Sequence, residues 1–180
     1  MSKFHDAEER AALVAEARSW IGTPYHVGGM VKGAGCCCGS LILAVLQARG
    51  LAPDERFGVY SSDSWAHWRE DHYRMRLFRH ARKLAEGIAA RCMRALPGCI
   101  ALARAMDSKV FNHAGIVTEW PRIVHAIAPA VIEVDATRDP LWIHREIEIF
   151  DPFGVDAEAL DKRRPVQAVE PKHESVQSHT

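Results

Sequence analysis

The chain has 180 residues, 48% of them apolar and 26% charged, which is the size and texture of one globular domain and excludes collagen, coiled coil and wholesale disorder. Twenty-three Lys and Arg balance 23 Asp and Glu, so the chain as a whole lacks the footprint of a nucleic-acid binder. Its longest strongly apolar run, Leu41 to Leu46, falls far short of the ~20 residues a membrane span needs. The first residues read as a chain without a signal peptide, which places it in the cytoplasm as synthesised.

In chain order, apolar spacing predicts a helix over 6–20, with Ala11, Leu13, Val14, Ala17, Ser19 and Trp20 on one face and Gly22-Thr23-Pro24 as its stop. Gly28, Gly29, Gly33 and Gly35 form a loop. A second helix then runs from about Cys38 to Gly50 and is apolar almost all round, so it belongs in the domain centre. A further helix is expected from Ser62 or Asp63 to about Glu86, inside a helical insertion over 51–96. Between Arg69 and Arg94 stand eight Lys or Arg against three Asp or Glu, a solvated face or a dock for an anionic partner. After Pro97-Gly98 come β-rich runs: Ile100 to Ala105, His113 to Trp120, Ile123 to Ala128, Val131 to Ala136 and Trp142 to Phe150. Helices first and strands later is an α+β order with an antiparallel meander, a single domain over 1–155; residues 156–180 read as a mobile polar tail.

The glycine loop is not a phosphate cradle, because no Lys-Ser or Lys-Thr follows its last glycine and Cys38 stands where a dinucleotide fingerprint needs a third one. Three adjacent cysteines lack the two-residue gap that lets paired thiolates chelate zinc, so neither a metal nor another cofactor is expected. Five cysteines, with Cys36, Cys37 and Cys38 consecutive, argue against a disulfide framework. A thiol at the start of a buried helix feels the positive end of the helix dipole, which suits a nucleophile. His113 opens a strand and can present an imidazole as base. His125, twelve residues on, could sit beside it on a neighbouring antiparallel strand and orient it. Against this, ten histidines can pair by chance, and buried cysteines are more often inert.

The run Trp20 to Gly29 (Trp-Ile-Gly-Thr-Pro-Tyr-His-Val-Gly-Gly), the run Lys32 to Cys38, Asn112 to Val117 and Ile123 to Ala126, in that order, resemble the NlpC-type papain-like cysteine peptidases, which cut peptide stems of bacterial peptidoglycan. The Lys32 to Cys36 segment resembles the branch encoded among tail genes of phages, prophages and gene-transfer agents. The resemblance implies a papain-like α+β fold with the nucleophile helix packed on an antiparallel sheet. It also implies a peptidoglycan peptide as substrate, phage tail proteins as partners and association with a virion. Carried over by position, the nucleophile is Cys38, the base His113, the third polar residue His125, and Tyr25 assists the oxyanion site.

The family reads Asp-Cys-Ser-Gly-Leu where this chain reads Cys36-Cys37-Cys38-Gly39-Ser40-Leu41. Cys38 as nucleophile keeps Leu41 aligned and puts Cys37 and Gly39 in place of the substrate-holding Asp and Ser; Cys37 as nucleophile displaces the leucine. Three readings follow: a peptidase or amidase, a weakened adaptor of tail assembly, or an acyltransferase or deamidase on the same fold.

Overall fold

The computed structural model describes residues 3–54, 82–85, 95–105 and 108–154. Helix α1 (Lys3–Arg18) and helix α2 (Cys38–Ala48) flank a two-stranded ribbon, β1 (Met30–Val31) and β2 (Gly35–Cys36). Strands β3 (Arg82–Ala85), β4 (Ile100–Ala103), β5 (His113–Glu119), β6 (Arg122–Ile127), β7 (Ala130–Asp135) and β8 (Ile147–Asp151) form one antiparallel sheet in the order β3-β8-β4-β5-β6-β7.

The α+β architecture expected from the sequence is therefore present, with α2 packed on β5 and β6 and α1 against α2 and β5. In α1 the residues Leu13 and Ala17 enter the core at helical spacing and Trp20 follows from the turn after it, whereas Ala11 and Ser19, expected on that face, are exposed. Helix α2 places Leu41, Ile42, Val45 and Leu46 against Ile100, Leu102, Ile116 and Val124. Burial of each such side chain stabilises the fold by about 1.5–3 kcal/mol, and this two-layer contact is what fixes the start of α2 over the sheet. Gly50, with φ 68°, ends the helix where an L side chain would be strained.

Three expectations are corrected. Strands β4 to β7 form a meander, but β8 crosses back to lie beside β4 rather than extending the series at β7. The segment from 142 to 146 is turn, so the last strand begins at Ile147 and not at Trp142. Residues 82–85, placed in a helix by composition, form strand β3 on the outer edge of β8. The cause is tertiary: β8 is buried along its whole length and its outward backbone groups need partners, which outweighs the helix preference of Arg-Lys-Leu-Ala. The rest of the expected 62–86 helix, nearly all of the basic 69–94 stretch and the 156–180 tail lie outside the described residues.

A partly buried ion pair ties α1 to the sheet. Arg10 donates to Asp151 at 2.7 Å and to the Pro97 carbonyl at 3.2 Å, with its guanidinium 4.7 Å over the Phe153 ring. Cys99 is buried beside this pair, and its thiol is pushed up to about 11 by burial and then by the Asp151 charge. Among the described residues no helix is long and apolar enough to cross a membrane.

Candidate active site

Antiparallel pairing puts the start of β5, the end of β6 and the start of β7 at one end of the sheet. His113 is the first residue of β5. Asn112 holds the chain at this point, its side-chain oxygen accepting from the Ala105 N–H at 2.8 Å and its amide donating to the Ala105 carbonyl at 3.3 Å. His125 lies on β6 directly opposite Gly115, so His113, two residues earlier, is its diagonal neighbour on the same face. The two rings meet there, His113 Nε2 to His125 Nδ1 at 2.7 Å, edge to face. The pairing anticipated from the twelve-residue spacing is present.

Both imidazoles are buried and held neutral. The His113 ring is pushed down to about 3 by burial, reinforced by His125, and the His125 ring to about 4 by burial. Trp142 closes the pair from above, its ring centroid 5.3 Å from His113 and 5.8 Å from His125. Gly115 leaves room for this arrangement: a Cβ there would stand 2.3 Å from Ile123 Cγ2 and 3.1 Å from the Trp142 ring.

The start of α2 is tethered to the same end of the sheet by backbone bonds. Gly22 donates to Val131, Val131 to Thr23 and Tyr25 to Pro129, at 2.8–2.9 Å, which fastens the segment after α1 to the β6–β7 turn and the start of β7. In turn Cys36 donates to Pro24 and His26 donates to Cys36, at 3.0 and 2.8 Å. Gly29 and Gly35 approach backbone to backbone, since a Cβ on Gly29 would meet the Gly35 carbonyl oxygen at 2.7 Å. Two residues beyond Cys36 the helix begins.

Cys38 is the first residue of α2, and it shares one packed cluster with Ala114 and Ala126, which alternate with His113 and His125 along β5 and β6, so the sulfur approaches the sheet from the α2 side and the two rings pack with Trp142 on the other. Cys37 precedes it as the helix cap, with extended backbone at φ −115° and ψ 175°. Its sulfur is fully buried and lies 3.2 Å from the Ser40 hydroxyl. Ser40 accepts the Cys37 N–H at 2.9 Å and donates to the Gly29 carbonyl, so one hydroxyl joins the helix start to the glycine loop. Gly39 is buried in the first turn, which carries no acidic residue. Tyr25 is half-buried against the core beside the three thiols. Its phenol is pushed up to about 12 by burial and by Cys38, Cys37 and Cys36 in that order, so it keeps its proton and can donate. Cys36 is likewise raised to about 12, by burial and then by its two neighbours.

The sequence reading missed Ser40, whose hydroxyl organises the loop, and Trp142, which it placed in a strand. Only the tight Asp139-Pro140 turn signal before Trp142 could have flagged the latter. Among the described residues no group of three or more His, Cys, Asp or Glu is placed to hold a metal ion.

No protein-family model matches the sequence, and no curated protein matches it. Solved structures do. NlpC1 from Trichomonas vaginalis superposes with a TM-score of 0.55 at 14% identity, over 79% of this chain and 43% of that one. NlpC2 from the same organism gives 0.51 at 15% identity, over 77% and 46%. The NlpC/p60 domain of peptidoglycan hydrolase SagA gives 0.49 at 20% identity, over 78% of this chain and 97% of that one. The chain thus spans less than half the length of the two Trichomonas proteins, and its fold is that of their NlpC-type papain-like domains.

Proposed function

We propose that this chain is a cysteine peptidase or amidase that hydrolyses an amide bond in a peptidoglycan peptide. The observation that carries the reading is the 2.7 Å His113–His125 pair at the end of the sheet to which the start of α2 is tethered. In the proposed reaction the Cys38 thiol gives its proton to Nδ1 of His113 as its sulfur bonds to the amide carbon. The oxyanion is met by the Cys38 backbone N–H and by Tyr25, which retains its proton. His113 then passes the proton to the leaving amine as the C–N bond breaks. Water hydrolyses the thioester, its proton returning through His113 to the sulfur. Cys38 is favoured over Cys37 because it occupies the first helical position, whereas the Cys37 sulfur is buried against Ser40. The Lys32 to Cys36 segment favours a phage- or prophage-related enzyme.

The test is release of peptide fragments from purified peptidoglycan. Cys38→Ala should abolish it, and full activity in that variant overturns the assignment. A second reading, an adaptor that keeps the fold without cleavage, is favoured by one feature: Cys37 and Gly39 stand where the resembling family carries its substrate-holding Asp and Ser. Absence of fragments from the unaltered protein across several peptidoglycan types would select it.

A further inference from the structure

This inference rests on the reading above and concerns which nitrogens of the histidine pair carry protons. Only one proton can sit between His113 Nε2 and His125 Nδ1. If Nδ1 of neutral His113 is to take the Cys38 proton, it must be bare, so the His113 proton is on Nε2 and points at His125. Nδ1 of His125 is then the acceptor, and His125 carries its own proton on Nε2. That Nε2 is fully buried and finds no partner among the described residues. A second buried donor is in the same state, Nε1 of Trp142, whose ring centroid lies 5.8 Å from that of His125.

Two orphaned donors on neighbouring rings can share one acceptor. The nearby turn offers a carboxylate. Asp139 heads the turn that carries Trp142: its carbonyl accepts from Trp142 and Ile143 at 3.0 and 2.8 Å, and its Oδ1 accepts from Leu141 at 2.9 Å. Its charge also acts on His125, favouring the protonated ring against the larger effect of burial.

We propose that Asp139 is a positioning residue that fixes the tautomer of His125 through one buried water, which accepts from His125 Nε2 and Trp142 Nε1 and donates to the Asp139 carboxylate. The stoichiometry closes. A water has two lone pairs for two N–H groups and a hydrogen for the carboxylate, and three polar partners are what a buried water ordinarily has. The carboxylate thereby decides, two rings away, that Nδ1 is the basic nitrogen of His113.

Nitrogen-15 spectra of the full chain labelled at histidine read the tautomers directly. In the unaltered protein at neutral pH, His113 and His125 should each show a protonated Nε2 and a bare Nδ1; a proton on Nδ1 of His125 overturns the proposal without need of any variant. Asp139→Asn keeps the oxygen that receives the Leu141 N–H but turns the other into a donor. It should convert a large part of His125 to the Nδ1–H form and slow peptide release about tenfold or more, with Asp139→Glu restoring both. Wild-type tautomers in Asp139→Asn refute the role of the carboxylate. Because the spectra do not depend on turnover, this inference can fail while Cys38→Ala still abolishes activity, and the converse is equally readable.

Discussion

Lowering the pH tests the burial of the histidine pair independently of any substrate. His113 is held down to about 3 and His125 to about 4, burial being the main cause for both, whereas an unfolded histidine titrates near 6.5. With the folded values below the unfolded one, the unfolded chain binds more protons throughout the interval between them. The stability that comes from keeping the rings neutral is therefore complete above about pH 6.5 and is lost as the pH falls toward 4. Each pH unit below 6.5 costs about 1.4 kcal/mol per ring, so by about pH 5 the two together remove about 4 kcal/mol, a large part of the roughly 5–15 kcal/mol of a typical domain. The assay is urea unfolding at a series of pH values between about 7 and 5, for the unaltered chain and for His125→Asn. The variant starts from a lower stability but should show a clearly shallower acid slope. A flat profile in the unaltered chain, or an identical slope in the variant, would refute the argument that these rings are buried and neutral.

Two substitutions probe how the sheet and the loop hold the site. Gly115→Ala places a methyl group 2.3 Å from Ile123 Cγ2 and 3.1 Å from both the Trp142 ring and the Val124 carbonyl oxygen. It should cost about 1–3 kcal/mol, read as a lowered Tm, and an unchanged Tm would mean that the strands open more easily than their packing implies. Ser40→Ala removes the group that receives the Cys37 N–H and caps the Gly29 carbonyl. Loss of about 1–3 kcal/mol in urea unfolding is expected; a neutral result would show that this hydroxyl does not anchor the loop.

The two helices and the His113–His125 pair were legible because each depends on local regularity: 3.6-residue spacing in α1 and α2, and a hairpin separation that leaves two residues on one face of adjacent strands. What escaped depends on contacts made at a distance. Arg82–Ala85 reads as helix and becomes a strand because β8 needs a partner. Trp142 reads as strand and instead packs on the two histidine rings, carried there by the turn that Asp139 heads. The three adjacent cysteines were visible, but not that Ser40 occupies the Cys37 sulfur and backbone N–H at once.

These observations bear on how charge enters the proposed reaction. Neutral, buried histidines do not favour a standing imidazolium, and the first turn of α2 carries no carboxylate. In the proposed reaction, proton transfer from Cys38 to His113 is then coupled to attack on the carbonyl, because the imidazolium it creates is stabilised only when the oxyanion forms alongside it. The groups proposed to meet that anion are uncharged: the positive end of the α2 dipole, the Cys38 N–H, and a tyrosine hydroxyl whose proton affinity is raised by burial. A site built this way holds little net charge at rest and stabilises charge chiefly in the transition state, which is the difference between ground state and transition state that catalysis requires.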